Sequence, residues 1–334
     1  MYRNVKKFIH HPVGQKLLMS LYSCPGCVLM FHHVKPLNKS NLRNNDHLNV
    51  SPGFFDQLLS EVNNLGFAFV SMSELSELLK RKKNVKKVAA LTFDDGYLDN
   101  VTNALPILKS HNAPATIYVA TGLVSGDVLP WWDLLENYIV QNEKISDCRG
   151  NMIECKTANE KESVFLQIRQ SMQIMSPEDI RKFFIDRNIA DDSMSEFGPK
   201  QMLSLEQIES FSKSDLITFG SHTHTHTACG KMEYEIFEKE LKKSSDILRS
   251  ANVDIRHFAY PYGDDVLSDK EIENILKSNG IESCVTTFPG LVTRETDRYF
   301  IPRYFVSEYD CFSLKKRLYP DYLENLKQRL RSLI

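Results

Sequence analysis

Asp94 and Asp95 stand side by side, followed by Gly96, at the end of the apolar run Val88-Ala89-Ala90-Leu91-Thr92-Phe93. Aspartate is depleted in strands and rarely buried without a partner, so such a pair points either to a turn or to a site. Asp-Gly is ordinary turn chemistry. At the carboxyl end of a parallel strand the pair has another use, one carboxylate holding a metal while the other takes protons. A second group follows the run Leu216-Ile217-Thr218-Phe219-Gly220: the segment 221–227 places His222, His224 and His226 among threonines, three of the chain's ten histidines within five residues. His222 and His226, four apart, meet on one face if the chain turns there. That spacing suits two imidazole ligands of one divalent ion, with a carboxylate third and water completing the shell. Read alone, the segment also fits a solvated Thr/His loop. The third group, Arg256-His257-Phe258-Ala259-Tyr260-Pro261-Tyr262-Gly263, again closes a strand pattern. By itself it is a Pro-Tyr-Gly turn with a surface arginine. Three such groups, each at the carboxyl end of an expected strand, agree better with one site than with three unrelated turns.

The elements that must position these residues alternate. Cys27 to Phe31 reads as the first core strand and runs into His32-His33. Ser51-Pro52 opens a helix, with serine as N-cap and proline in the first turn, and Gly66 ends it. Strands are expected over 67–70, 88–93 and 115–119, with helices over 71–80 and 97–110, the latter bent at Pro106. This β-α-β-α order indicates a parallel sheet or barrel. The rhythm stops between about Leu129 and Leu205, where Trp131-Trp132-Asp133 opens a helix and a longer helical pattern covers 161–188. The block is charged and poor in strand signals, an insertion in a βα unit of the kind that lies over an active face. Strand patterns resume at 216–220, 252–260, 280–287 and 299–306.

A length of 334 residues allows one large α/β domain or two ordinary ones. A hydrophobic content of 42% and a net charge of −2 describe an ordinary globular chain without the basic face or motifs of a nucleic-acid binder. The seven cysteines are scattered; Cys24-Pro25-Gly26-Cys27 has CxxC form but no second copy, and fits a pair of reduced thiols. No continuous apolar leader or membrane-spanning run is evident, so a cytoplasmic setting is the expectation.

The segments Thr92-Phe93-Asp94-Asp95-Gly96, His222 to His226 and Arg256 to Gly263, in that order, closely resemble the first three motifs of the polysaccharide deacetylases, carbohydrate esterase family 4. Phe31-His32-His33-Val34 is similar to a segment that many bacterial members carry after their first strand. Trp131-Trp132-Asp133 and Ile301-Pro302-Arg303 resemble elements of the longer members associated with surface polysaccharides. The resemblance implies a distorted (β/α) barrel of about seven parallel strands, here over 27–310 with the helical insertion at about 129–205. A helical segment would precede it (1–26), and a basic amphipathic helix would follow it (311–334). It further implies one divalent metal, zinc or alternatively cobalt, nickel or manganese, held by Asp95, His222 and His226. Asp94 matches the catalytic base, Arg256 the residue that orients that base, and Tyr262 the backbone N–H that helps hold the oxyanion.

The implied reaction is removal of acetyl from an N-acetylated sugar, in a surface polysaccharide or its lipid-linked precursor. Alternatives are an O-deacetylase, another metal-dependent amide hydrolase, or a glycan-binding barrel without turnover. The family's late Leu-x-His, source of the general acid, has no counterpart, because no histidine follows residue 300. His32, at the end of the first strand, is the candidate for that role, against a packed structural histidine. After Pro320, Leu323, Leu326, Leu330 and Leu333 make an apolar stripe beside Lys327, Arg329 and Arg331. A helix of that type either packs on the barrel or lies on anionic lipid, giving peripheral association with the inner membrane face.

Overall fold

In the computed structural model, which describes residues 25–37, 42–189, 199–263 and 270–318, the alternation becomes a closed arrangement of parallel strands. The first part of the chain forms β1 (Cys27–Phe31), β2 (His33–Val34), α1 (Arg43–Asp46), β3 (Asn49–Val50), α2 (Pro52–Asn64), β4 (Ala68–Phe69) and α3 (Met72–Lys80). Then come β5 (Val88–Phe93), a π turn over Asn100–Ala104, α4 (Leu105–His111), β6 (Ala115–Val119) and α5 (Thr121–Ser125). The insertion holds α6 (Trp131–Gln141), β7 (Lys144–Ser146), β8 (Met152–Glu154), α7 (Ala158–Met172) and α8 (Pro177–Ile185). The chain returns through α9 (Leu205–Phe211), β9 (Ile217–Ser221), α10 (Tyr234–Ser250), β10 (His257–Ala259), α11 (Lys270–Ser278), β11 (Ser283–Val285) and β12 (Tyr304–Phe305).

The main sheet runs β11-β10-β9-β6-β5-β1-β12, with β4 paired to the start of β5. Every pairing in it is parallel. The segment 301–305 joins its two ends: Ile301 bridges Val285 in parallel, and Tyr304 and Phe305 pair with β1. The result is the distorted (β/α) barrel that the alternation and the resemblance implied. Side chains alternate along a strand, and β1, β6, β10 and β11 are buried along their whole length, on both faces of the sheet. Leu29, Leu91, Ile117, Phe219 and Phe258 belong to the large cluster shared with the helices. Val28, Ala90, Tyr118, Ala259, Val285 and Ile301 form a smaller interior cluster, joined by Met72, Leu75 and Leu79 of α3.

Pro106 explains the π turn. It has no N–H to donate and its ring crowds the carbonyl four residues back, so the preceding turn widens before α4 begins. The insertion packs its own core, including Trp131, Leu135, Ile139, Phe165 and Ile168, onto Tyr97, Ala120 and Leu123 at the carboxyl end of the barrel. Each such fully buried side chain contributes roughly 1.5–3 kcal/mol relative to exposure, so the block is a fixed wall at that end.

Two expectations need correction. The insertion is not purely helical: β7 and β8 form an antiparallel hairpin, with Ile145 opposite Ile153. One apolar pair is too short to show a period of two, and the hairpin is held at its turn by Asp147, whose Oδ1 accepts from the N–H groups of Arg149 and Asn151. The strand expected over 252–260 is only the three residues of β10. Residues 1–24 and 319–334, and with them the expected terminal helices, lie outside the described residues apart from a helical turn at 314–318.

Candidate active site and metal centre

β5 delivers Asp94 and Asp95 to the carboxyl end of the barrel, and Asp95 then leaves the strand in the left-handed region at φ 74°. That reversal breaks the strand alternation, so neighbouring carboxylates reach the same cavity instead of opposite faces. Thr223 (φ 63°), His226 (φ 55°) and Tyr262 (φ 61°) are left-handed as well. Such conformations cost of order 1–3 kcal/mol for residues with a Cβ and persist only where surrounding contacts impose them. Here the contacts are visible. Glu240 of α10 accepts from the N–H of His224 (3.0 Å), the N–H of Thr225 (2.7 Å) and the Thr225 hydroxyl (3.0 Å). The N–H of His226 donates to Thr223 Oγ1 at 3.0 Å. Gly122 of α5 donates to the His224 carbonyl, and a Cβ there would stand 2.5 Å from that oxygen, which excludes any other residue.

Asp95, His222 and His226 each place one ligand atom within 4.8 Å of the other two. His226 Nε2 lies 3.1 Å and His222 Nε2 3.6 Å from Asp95 Oδ1. That oxygen is buried and has no hydrogen-bond partner. An orphaned carboxylate oxygen between two imidazole nitrogens is costly without a counter-ion, and it fits a cation seated among the three. The tautomer of His222 suits ligation, since Nδ1–H donates to the Ala259 carbonyl at 2.8 Å and leaves Nε2 free. Burial pushes the His222 imidazole down to about 4, so it is neutral at ordinary pH and can ligate. Burial works against ionisation of Asp95, but the adjacent imidazoles, His226 first, hold its carboxyl well below the usual range.

Asp94 is bound differently. Arg303 grips it with two parallel bonds, Nη1 to Oδ1 at 2.7 Å and Nη2 to Oδ2 at 2.8 Å. Burial favours the protonated form, yet the Arg303 guanidinium overcomes it and keeps the carboxyl below its ordinary value. Arg303 is itself fully buried and donates further to the Thr286 carbonyl and to Thr92 Oγ1. The expectation that Arg256 orients Asp94 is therefore corrected. Arg256 precedes β10 at the opposite end of the barrel, with its side chain 51% exposed and paired to Asp254. Sequence reasoning had Ile301-Pro302-Arg303 in view without giving the arginine a role. The available signal was a cation inside an otherwise apolar strand segment, where burial demands a partner.

A cavity of about 410 Å³ opens over these groups, lined by Asp94, Asp95, His222, His226, Tyr262 and His32. His32 Nδ1 is buried without a partner, while its ring packs edge-on against Phe305. Asn100 of the π turn donates to the His32 carbonyl at 2.7 Å, so the turn fixes this segment. The neighbouring His33 faces away, bonding Asp99 at 2.6 Å and lying against Tyr97. Tyr262 packs its ring against His226, and its carbonyl accepts from Thr287 Oγ1. Trp132 covers His226 and donates to the Tyr97 hydroxyl. His224, the middle histidine, points elsewhere, toward Thr121 and Asp127. Arg169, His47 and Asn45 also line the cavity, and none of them belongs to a motif read from the sequence.

A parallel barrel with carboxylates and imidazoles converging at its carboxyl end defines an α/β-barrel protein with an Asp/His/His cluster that could hold a cation. Comparison with known proteins narrows the class. A family model described as Polysaccharide deacetylase matches residues 81–284, more than half of the sequence, and the chain belongs to that family. It is 33% identical over 120 residues to the poly-beta-1,6-N-acetyl-D-glucosamine N-deacetylase of Staphylococcus epidermidis, a match spanning 33% of this chain and 40% of the relative. It is 31% identical over 93 residues to the putative polysaccharide deacetylase YxkH of Bacillus subtilis, spanning 28% of this chain and 30% of the relative. The matches thus cover less than half of either relative's length. Among solved structures, IcaB from Ammonifex degensii aligns over 89% of this chain and 97% of its own, at 19% identity and a TM-score of 0.58. Streptococcus pyogenes PplD, solved with acetate, aligns over 86% and 94%, at 21% identity and a TM-score of 0.55. These likenesses extend the agreement in fold to the insertion-bearing whole.

Proposed function

We propose that the protein is a metal-dependent N-deacetylase acting on an N-acetylated sugar of a surface polysaccharide or its lipid-linked precursor. The observation that carries this reading is the division of labour between adjacent aspartates. Asp95 turns an oxygen unpartnered among the described residues toward His222 and His226, while Arg303 holds Asp94 with two bonds. A divalent cation among Asp95, His222 and His226, zinc on the chemistry of the donor set, supplies Lewis-acid activation of water and of the acetamide carbonyl.

The chain's own residues do the rest. Asp94, ionised at neutral pH, accepts the proton of the attacking water, and Arg303 keeps the carboxylate charged and aimed. Tyr262 lines the cavity, which supports its backbone N–H as the donor that would stabilise the developing oxyanion. His32 is the candidate to pass a proton to the departing amine, since its ring lines the same cavity and its Nδ1 has no partner among the described residues. Burial lowers its pKa, so the proton it gives is one first taken up from the attacking water. Trp131 and Trp132 close one side and limit the access of bulk water.

The test is acetate release from N-acetylated and O-acetylated glycans by the zinc-loaded full chain, alongside metal content. Release from the N-acetylated glycan, lost together with metal in His222→Ala and His226→Ala, is the expected result. Full metal occupancy in both variants removes the metal assignment, and release only from the O-acetylated glycan replaces the amidase reading. We further propose that the leucine-striped basic sequence after Pro320 brings the enzyme to the cytoplasmic membrane face, where lipid-linked sugars are assembled. Failure of the full chain to bind anionic liposomes at low salt overturns that placement.

A further inference from the structure

The insertion adds a charge to the cavity that the proposed reaction does not use. Arg169, on α7, lines the cavity with Asp94, Asp95, His226 and Tyr262, and its positive field is felt at the Tyr262 phenol. It is half-buried, yet among the described residues no carboxylate pairs with it and its guanidinium makes no hydrogen bond. Two other arginines of this block are engaged. Arg187 donates to the Phe183, Ser146 and Asp147 carbonyls and to the Ser146 hydroxyl, and Arg181 donates to the Gly126 carbonyl. Five unused donors in a rigid fork, held in a concave wall, match a planar or tetrahedral oxyanion.

The remaining charges do not neutralise it. Asp94 is consumed by Arg303, and Asp95 is the one carboxylate of the Asp95, His222 and His226 cluster, so a divalent cation held there would stay net positive. The third carboxylate lining the cavity, Asp310, is on an exposed turn. A neutral glycan would leave the Arg169 guanidinium partly desolvated and unpaired, which is unfavourable.

We infer that Arg169 is a specificity-determining residue for an anionic group, a carboxylate or a phosphate, covalently attached to the N-acetylated sugar or to its immediate neighbour. This rests on the deacetylase reading, and it deepens that reading by naming the class of sugar. Selection arises in the insertion rather than in the barrel: the barrel holds the acetamide, and α7 reads the charge beside it.

The experiment uses the zinc-loaded full chain with three probes: neutral N,N′-diacetylchitobiose, an N-acetylglucosamine–glucuronic acid disaccharide, and N-acetylglucosamine 1-phosphate. Acetate release gives kcat/KM, and calorimetry gives Kd for the same probes. At least one anionic probe should be preferred over the neutral one on the order of tenfold, the value of one hydrogen bond to a charged group. Which anionic probe wins distinguishes carboxylate from phosphate. In Arg169→Gln the anionic-to-neutral ratio should fall to near one, and Arg169→Lys, with charge but no fork, should fall between; thermal unfolding of both variants checks the fold. Equal handling of all three probes by the wild type, or a preference that survives Arg169→Gln, overturns the inference. If no probe releases acetate but charge-selective binding is seen and lost in Arg169→Gln, the deacetylase reading fails and the anion site stands.

Discussion

The two ends of the barrel each bury a histidine and each carry an arginine, and the resemblance is only apparent. Burial pushes His222 at the carboxyl end and His257 at the amino end down to about 4 alike. His257 is saturated, with Nε2 bonded to Ser73 Oγ and Nδ1 to Ser283 Oγ, both at 2.8 Å. His222 spends only Nδ1 on the protein and presents Nε2 to an orphaned carboxylate oxygen. The arginines divide the same way: Arg303 is fully buried on Asp94, whereas Arg256 is half-exposed on Asp254. A depressed pKa therefore does not mark the functional end. The buried Asp95 oxygen left without a hydrogen-bond partner beside two imidazole nitrogens does, because such an oxygen is costly unless something outside the chain completes the site.

Substitutions that exchange the roles of the two ends test this contrast most directly. Asp94→Asn keeps the shape of the Arg303 contact and removes the base, so turnover should fall roughly 10²- to 10⁴-fold with metal content retained. Near-normal acetate release would move the base elsewhere. Arg303→Met should be the costliest change in stability, about 3–5 kcal/mol by denaturant titration, because it leaves a buried carboxylate without its cation.

The pH dependence of that loss has a definite sign. Asp94 titrates below its unfolded value, so its contribution is complete above the ordinary carboxylate pKa and disappears as pH falls through the lowered folded value. The stability gap between wild type and Arg303→Met should accordingly narrow in acid. The acid limb of kcat/KM should shift upward in the variant, since Asp94 then holds its proton to higher pH. A gap independent of pH would show that Arg303 acts through packing alone.

Glu240→Gln perturbs the support of the metal loop without touching the cavity. The three bonds to Glu240 hold left-handed Thr223 and His226 in place, and their weakening should lower zinc affinity about 10-fold, read by competition with a chelating dye. Unchanged affinity would mean the loop is held by Gly122 and Thr223 without it. Smallest of all, Arg256→Gln should change stability by no more than about 0.5 kcal/mol and leave turnover unaltered, as for other exposed ion pairs. A large loss of turnover there would erase the distinction between the two ends.

Much of this site was legible in the order of residues because its chemistry is local. An Asp-Asp-Gly closing an apolar run and an HxxxH after another place the proposed metal ligands within a residue or two of strand ends, and strand ends follow from apolar run length. The alternation of strand and helix likewise implied a parallel barrel, since parallel strands need crossover connections. Arg256 was misread for the converse reason. A motif's arginine was carried over by spacing, but which end of β10 a residue occupies depends on where the strand begins, and only three residues of the nine expected are strand.

Arg303 lies 209 positions from Asp94 in the chain, and no periodicity records such a pairing. It exists because the sheet closes, bringing the segment 301–305 between β11 and β1 and turning its one cation into the barrel beneath Asp94. Glu240, Arg169 and the unpartnered His32 nitrogen belong to the same class of fact. Residue types and strand ends were determined along the chain. The partners that give those residues their charge state, tautomer and strain come from contacts between elements distant in sequence, so only the folded barrel and its insertion decided them.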